Sequence, residues 1–346
     1  MNRRLLLIAL FLACTLLGCS SGPRRTPLIV YSPHGKDMLA EFEKEYEAAH
    51  TDQDVQWMDM GSQDVYDRIR TERRNPQADL WWGAPSITFI RAERESLLVP
   101  YIPSWDSAIG KEFRSANHFW YGTFLTPEVI MYNNRVVREQ DAPSDWDDLL
   151  ETRWHDKIII RSPLASGTMR IIYSALLLRE QNRHGSLEAG FAWLRRLDAN
   201  TKTYVADPTQ LYLKIAREEG LVTLWDLPDV MIQVRRNNYP FGYRFPRSGT
   251  PLITDGIAIV RGAPHPIQAK EFYEFVTSKE SMIRQAVDFG RIPVRRDVPR
   301  GSLPGWIDSL GFVPLPVDWD ALADGEREWM RKWESEVRGR GSDSPE

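Results

Sequence analysis

What most limits the fold of this chain is the order in which two kinds of apolar pattern follow one another. Leu28-Ile29-Val30-Tyr31 is a short apolar run of the strand type, and Lys36 to His50 then repeats apolar positions at helical spacing through Met38, Leu39, Phe42 and Tyr46. The order recurs. Val55-Gln56-Trp57-Met58 leads through Gly61-Ser62 into a helix near Gln63 to Arg74, and Ala78-Asp79-Leu80-Trp81-Trp82 leads through Gly83-Ala84-Pro85-Ser86 into a helix near Ile87 to Glu95. Strands and helices in alternation specify an α/β sheet with helices on its faces. Both cysteines, Cys14 and Cys19, precede the first strand, so the folded body has neither disulfide nor thiolate metal site and is held by its core alone. A chain of 346 residues is long enough for that, and long enough to divide into two domains.

The first nineteen residues carry a different message. Arg3 and Arg4 precede an unbroken apolar run from Leu5 that ends in Leu16-Leu17-Gly18-Cys19, the composition of an export signal with a small residue before a cysteine. That run falls short of the roughly 20 residues that span a bilayer as a helix. The expectation is a lipoprotein signal peptide over 1–18, cleaved before Cys19, with lipid on the Cys19 sulfur and a polar tether over 19–26. The mature body then works outside the cytoplasm, on a membrane, which argues against ATP-driven or nicotinamide chemistry. Losing Arg3 and Arg4 leaves 42 basic against 48 acidic residues and a formal charge of −6. Such a mildly acidic body has no nucleic-acid footprint.

A second α/β unit starts after Phe124, with Val129-Ile130-Met131-Tyr132 as a strand, a capped turn at Ser144-Asp145-Trp146-Asp147, and a buried strand at Lys157-Ile158-Ile159-Ile160. Ser166-Gly167-Thr168 opens a helix to about Gln181, Ser186 caps another, and Leu221 to Trp225 is a further strand. The chain returns to the first unit near Pro251 to Gly256, where Ile257-Ala258-Ile259-Val260 supplies a strand. Two crossovers imply two lobes on a hinge: 27–124 with 255–310 as the first, 125–254 as the second. A tail over 311–346 contains an amphipathic helix from Asp318 to about Arg338, with Trp329 and Trp333 four apart and packed on the body.

Catalytic signatures are absent. The six histidines are scattered with no His-x-x-x-His pair, and no Gly-x-Ser-x-Gly elbow or Ser-x-x-Lys set accompanies a base. Asp147-Asp148 reads as helix-start composition, a cap rather than an acid-base dyad. What remains is a set of small polar residues at strand-to-helix junctions: Gly61-Ser62, Gly83 to Ser86, and Ser166-Gly167-Thr168. Each aims free backbone N–H groups and the positive end of a helix beyond the carboxyl ends of the strands, where open α/β sheets bind ligands. Several such ends converging suit an anion, with Arg161 and Arg170 flanking the Ser166 junction, and Trp81 or Trp82 and Trp225 as candidate walls.

These residues resemble the extracellular solute-binding proteins of ABC importers, in the branch containing ferric-ion-binding and hexose-phosphate-binding proteins. The likeness lies in Ile29-Val30-Tyr31-Ser32 with His34 close behind, in Asn75-Pro76-Gln77-Ala78-Asp79 before an aromatic strand end, and in Ala165-Ser166-Gly167-Thr168. It continues in Ala192-Trp193-Leu194-Arg195-Arg196-Leu197, in Gly262-Ala263-Pro264-His265-Pro266 before Ala269-Lys270-Glu271-Phe272, and in Phe275 to Glu280. The resemblance implies an α/β fold of the two-lobed type 2 periplasmic-binding-protein kind with two hinge crossovers. It also implies a monomer without cofactor that closes over a small-molecule solute and delivers it to an ABC permease with its separate ATPase. Ferric-binding relatives use a Tyr-Tyr pair and a glutamate, which here align with Leu227-Pro228 and Ala84; His34 alone remains, too little for a hard cation. Hexose-phosphate-binding relatives use a Ser-Gly-Thr helix start and a Gly-Ser junction, and both are present. The resemblance therefore points to a phosphorylated organic solute, held by Ser32, His34, Gly61, Ser62, Trp82, Gly83, Ser166, Gly167, Thr168, Trp225 and Asp226. The alternatives are a ferric-ion receptor, an exported enzyme acting on phosphorylated compounds, or a receptor that feeds a sensor; a cationic solute against the aromatic walls is a further possibility for the ligand.

Overall fold

The computed structural model describes residues 25–339. Residues 1–18, expected to form a signal peptide, and Cys19 lie outside the described residues. In chain order the first lobe opens with β1 (Thr26–Ser32), α1 (Lys36–Ala49), β2 (Gln53–Asp59), α2 (Ser62–Thr71), β3 (Leu80–Pro85), α3 (Ser86–Arg94) and the short β4 (Leu98–Val99). The 13-residue β5 (Tyr121–Asn133) then leads to β6 (Ile158–Arg161), α4 (Gly167–His184), α5 (Leu187–Asn200), β7 (Thr201–Val205), α6 (Pro208–Ala216), β8 (Val222–Asp226), α7 (Leu227–Asn237) and β9 (Phe241–Arg244). The chain comes back through β10 (Leu252–Val260), α8 (Pro266–Val276), α9 (Lys279–Phe289) and β11 (Ile292–Pro293), and ends in α10 (Trp319–Glu336).

The strands form one ordered path, β2-β1-β3-β10-β5-β8-β6-β7. β1 lies parallel to both β2 and β3, and β10 runs antiparallel to β3. The join between lobes is β5 itself. Tyr121 to Pro127 pair with β10, whereas Glu128 to Tyr132 pair with β8 and Ile130 to Asn133 with β9. One strand, about twice the usual length, therefore threads both lobes, and the apolar run Val129 to Tyr132 read from the sequence is only its second half. β1 begins at Thr26, inside the span expected for the tether, and Arg25 pairs with Glu47 at 2.6 Å.

The apolar periodicities explain the packing. Met38, Leu39, Phe42 and Tyr46 of α1 are all buried, and Phe42 meets the Trp82 ring edge-on at 5.5 Å. In the second lobe α4 packs on β8 and α5 on α4 and β7, in one core with Trp146, Trp154 and Trp225. Asp145 and Asp148 form a reciprocal capping box, and Asp147 accepts from Trp193 and pairs with Arg179 and Arg183, so these acids build structure. Ser166 caps α4, its Oγ accepting from the Met169 N–H at 3.2 Å. No helix among the described residues is long and apolar enough to cross a membrane.

α10 is the helix read from the tail, and it touches both lobes. Met330 and Trp333 enter the second-lobe core, while Leu322 and Ala323 join Ile87 of α3, Ile171 and Leu178 of α4 and Ile253 of β10. Glu326, buried on the same helix, is paired with Arg91 of α3 and, at 3.2 Å, with Arg170 of α4.

Candidate anion and acid poles between the lobes

Two of the three junctions read from the sequence face each other across the lobes, and the third touches them. The α2 and α3 N-termini, preceded by Gly61 and Pro85, have no side-chain cap. A methyl group at Gly167 would stand 2.9 Å from Ser62 Cβ and 3.2 Å from Pro85 Cδ, and one at Gly61 would stand 2.9 Å from the Ala165 carbonyl oxygen. Glycine is what lets the α2 and α4 N-termini approach this closely. Each such terminus carries about half a positive charge, so two facing one another create a place that favours an anion.

Arg161 adds a full charge there. It ends β6, its Nη2 lies 3.6 Å from the same point above Gly61, and its guanidinium sits 5.7 Å from the Trp225 ring. Its Nε is buried without an acceptor. Among the described residues its side chain makes no hydrogen bond or ion pair. Burial pulls its pKa down, opposed by Tyr212 and by Asp229, Asp207 and Asp226. Arg170, the other arginine named from the sequence, is engaged elsewhere, by Glu326 and by the Leu164 carbonyl at 2.8 Å.

Beside this positive pole lies an acidic one that sequence reading largely missed. Asp226 ends β8 and caps α7, accepting from the Asp229 N–H at 2.9 Å. Glu128 of β5 stands directly opposite Asp226 in the strand register, is 0% exposed, and neither of its carboxylate oxygens has a protein donor. Asp255 of β10 accepts from Thr126 Oγ1 at 2.6 Å and from the Ala84 N–H. Burial pushes the Glu128 and Asp226 carboxyls well above the ordinary carboxylate range, and each is raised further by neighbouring aspartates. Burial raises Asp255 as well. Asp229 accepts from Tyr212 Oη at 2.7 Å and Trp225 Nε1 at 3.3 Å, and lies 3.8 Å from Arg291 Nη2. Arg291 in turn lies 4.9 Å over Phe124. The signal in the sequence was a charge inside an otherwise apolar strand, at Glu128 before Val129-Ile130-Met131 and at Asp255 between Ile253 and Ile257.

The first-lobe residues form the wall next to Arg291. Ser32 is buried and its Oγ accepts from the His34 N–H at 3.2 Å. The His34 ring lies 5.2 Å from Trp82 and 5.1 Å from Phe124, with a buried Nε2 that has no partner. Burial holds this imidazole well below its usual range, and the nearby Arg291 charge adds to that. Gly83, at φ 95°, leaves the space the ring fills, since a Cβ there would stand 2.4 Å from His34 Cε1. The next residue, Ala84, holds φ 116°, a strained backbone of the kind that collects at binding sites. Trp82 and Trp225 are core residues at 0% and 1% exposure, so neither walls an open cleft: Trp82 faces Phe42 and Phe272, and Trp225 underlies Arg161. Among the described residues no three His, Cys, Asp or Glu side chains are grouped to hold a metal ion.

Comparison with known proteins gives a consistent picture. A family model described as "Bacterial extracellular solute-binding protein" matches residues 38–309. The chain is 27% identical over 322 residues, 90% of its length and 86% of the relative's, to the "Probable ABC transporter periplasmic-binding protein y4fP" of Sinorhizobium fredii. It is 31% identical over 252 residues, 70% of each chain, to the "Putative 2-aminoethylphosphonate-binding periplasmic protein" of Salmonella typhimurium. Among solved structures, the periplasmic binding protein AfuA of Actinobacillus pleuropneumoniae with fructose-6-phosphate bound superposes with a TM-score of 0.77 at 21% identity, covering 91% of this chain and 99% of that one. The ferric binding protein of Campylobacter jejuni does so with a TM-score of 0.74 at 20% identity, over 89% and 98%. At such identities these two structures speak for the two-lobed fold alone.

Proposed function

Because this chain belongs to the bacterial extracellular solute-binding proteins and is a solute receptor of an ABC importer, we propose that its solute is a small organic phosphate or phosphonate, captured between the lobes. Members of this family are binding proteins, not enzymes. The observation that carries the ligand class is Arg161, a guanidinium with no protein acceptor at the meeting point of the α2 and α4 N-termini. Tetrahedral oxyanions suit such a place, since three terminal oxygens accept from backbone N–H groups and from the guanidinium at once. In this reading the N–H groups at Ser62, Gly167 and Thr168 hold the anion and Ser166 fixes the α4 terminus by capping it. The relative named for an aminophosphonate supports the same ligand class. Iron is not favoured, because Ala84 and Leu227-Pro228 bring no anionic oxygen where ferric-binding proteins have theirs.

Calorimetric titration of the mature protein with ethylphosphonate, glucose 6-phosphate and inorganic phosphate tests the reading. At least one organic anion should bind, and Arg161→Met should weaken it about 10- to 100-fold, the range expected for losing a charge-assisted hydrogen bond. Unchanged affinity in that variant, or no binding of any of the three, removes the proposed anion site. Export and a lipid anchor on Cys19 are part of the same proposal. The membrane-extracted protein should begin at Cys19 and carry acyl mass there, and a free Cys19 thiol in that sample would contradict it.

A further inference from the structure

We infer that Glu128, Asp226 and Asp255 form a second subsite that takes a protonated primary amine of the same solute, which makes the captured molecule a zwitterion. This rests on the anion reading above and narrows it.

The three acids come from β5, β8 and β10, the strands that meet at the junction of the lobes. Glu128 and Asp226 are register partners on antiparallel strands, so their side chains share one face of the sheet, where like charges directly opposite are destabilising. Phe124 and Thr126 precede Glu128 at the two-residue period of a strand and share that face. Through Thr126 the face reaches Asp255, and through Phe124 it reaches His34 and Arg291.

Acceptor capacity here exceeds what the protein supplies. Asp226 receives the Asp229 N–H, Asp255 receives Thr126 and Ala84, and Asp229 is occupied by Tyr212 and Trp225. Glu128 receives nothing on either oxygen, although it is fully buried, and His34 Nε2 beside Phe124 also has no partner. Arg291 approaches Asp229, at 3.8 Å, and its charge is felt by Asp226 and Asp255. A carboxyl left this way in the interior is stabilised in its ionised form by a charged donor. An alkylammonium brings three donors and one positive charge in a small volume.

Strand register then relates the two poles. β6 and β8 are neighbouring parallel strands, about 5 Å apart, with Ile158 in register with Val222. Arg161 at the end of one therefore lies beside Trp225 and Asp226 at the end of the other. A solute with its anion at Arg161, over the Trp225 ring, and its amine at Glu128 and Asp226, on the other face of the sheet, reaches around the carboxyl end of β8.

The test compares three phosphonates on the mature wild-type protein by calorimetry: 2-aminoethylphosphonate, its N-acetyl derivative and ethylphosphonate. The free amine should bind about tenfold or more tighter than either of the others, and Glu128→Gln should erase most of that preference while keeping ethylphosphonate affinity. Equal binding of all three, or N-acetyl and free amine binding alike, overturns the amine subsite and leaves the anion site standing. A Glu128→Gln protein that folds, as judged by circular dichroism, and keeps the full preference also overturns it. If none of the three binds, the anion reading falls as well.

Discussion

A carboxyl buried without a donor costs a few kcal/mol if it stays ionised, and this burial pushes the Glu128 carboxyl well above the ordinary carboxylate range in the ligand-free protein. The consequence for stability has a definite sign. Glu128 has an ordinary value of 4.5 and Asp226 and Asp255 one of 3.8, and all three are raised on folding. Above those ordinary values the native state holds more protons than the unfolded chain, so their contribution is fully present at low pH and is lost as pH rises through the raised native values. His34 acts oppositely: its native value is depressed below 6.5, so stability from this residue increases with pH until about that point. Urea denaturation of ligand-free wild type and Glu128→Gln from about pH 4.5 to 8 isolates the first effect, because the amide does not titrate. The variant should gain on the wild type as pH rises, with a slope of at most about 1.4 kcal/mol per pH unit. Parallel stability curves would show that Glu128 is ionised throughout.

Among the elements, α10 has the most unusual position, since a single buried carboxylate on it, Glu326, answers arginines from both lobes. Arg94 with Asp324 at 2.7 Å and Lys332 with Glu188 at 2.9 Å repeat the two-sided pattern at the surface, where they add little. The buried triad is different: Glu326→Gln leaves Arg91 and Arg170 without their shared counter-charge, and a loss of about 3 kcal/mol in unfolding free energy is expected. Combining Arg91→Met, Arg170→Met and Glu326→Leu should recover most of it, and a single variant as stable as wild type would mean that water or another acid serves these arginines. This helix was legible in the sequence from Trp329 and Trp333 and the charged face around them, and the strand-helix alternation gave most other elements in the same way. β5 was legible only in part, because Gly122, Pro127 and Glu128 interrupt its apolar pattern. The junction glycines and serines could be named from local sequence, since small polar residues between a strand and a helix are a local signal. The acid pole could not, because residues 128, 226 and 255 become neighbours only through the pairing of β5 with β8 and β10.

At the scale of the whole molecule the two lobes touch where the helix N-termini meet, and the contact is made without side chains at Gly61 and Gly167. Opening by a hinge would separate these surfaces about the joins that run between the lobes, the continuous strand β5, β10 and the α10 helix packed on both. A substituent that fits the separated lobes but not the apposed ones therefore acts on one state only. Gly61→Ala with Gly167→Ala places a methyl 2.9 Å from the Ala165 carbonyl oxygen and another 2.9 Å from Ser62 Cβ. Neither glycine has the positive φ that would make alanine strained, so the lobes themselves should tolerate the change. Overpacking of this kind costs about 1–3 kcal/mol, and because solute affinity includes the free energy of closing, that cost appears as roughly 5- to 150-fold weaker binding. The ligand-free melting temperature should stay within a few degrees of wild type. Small-angle scattering should show the wild type contracting on addition of a bound phosphonate and the double variant contracting less at the same ligand concentration. Wild-type affinity and contraction in the double variant would mean that the ligand-bound lobes do not come together at Gly61 and Gly167.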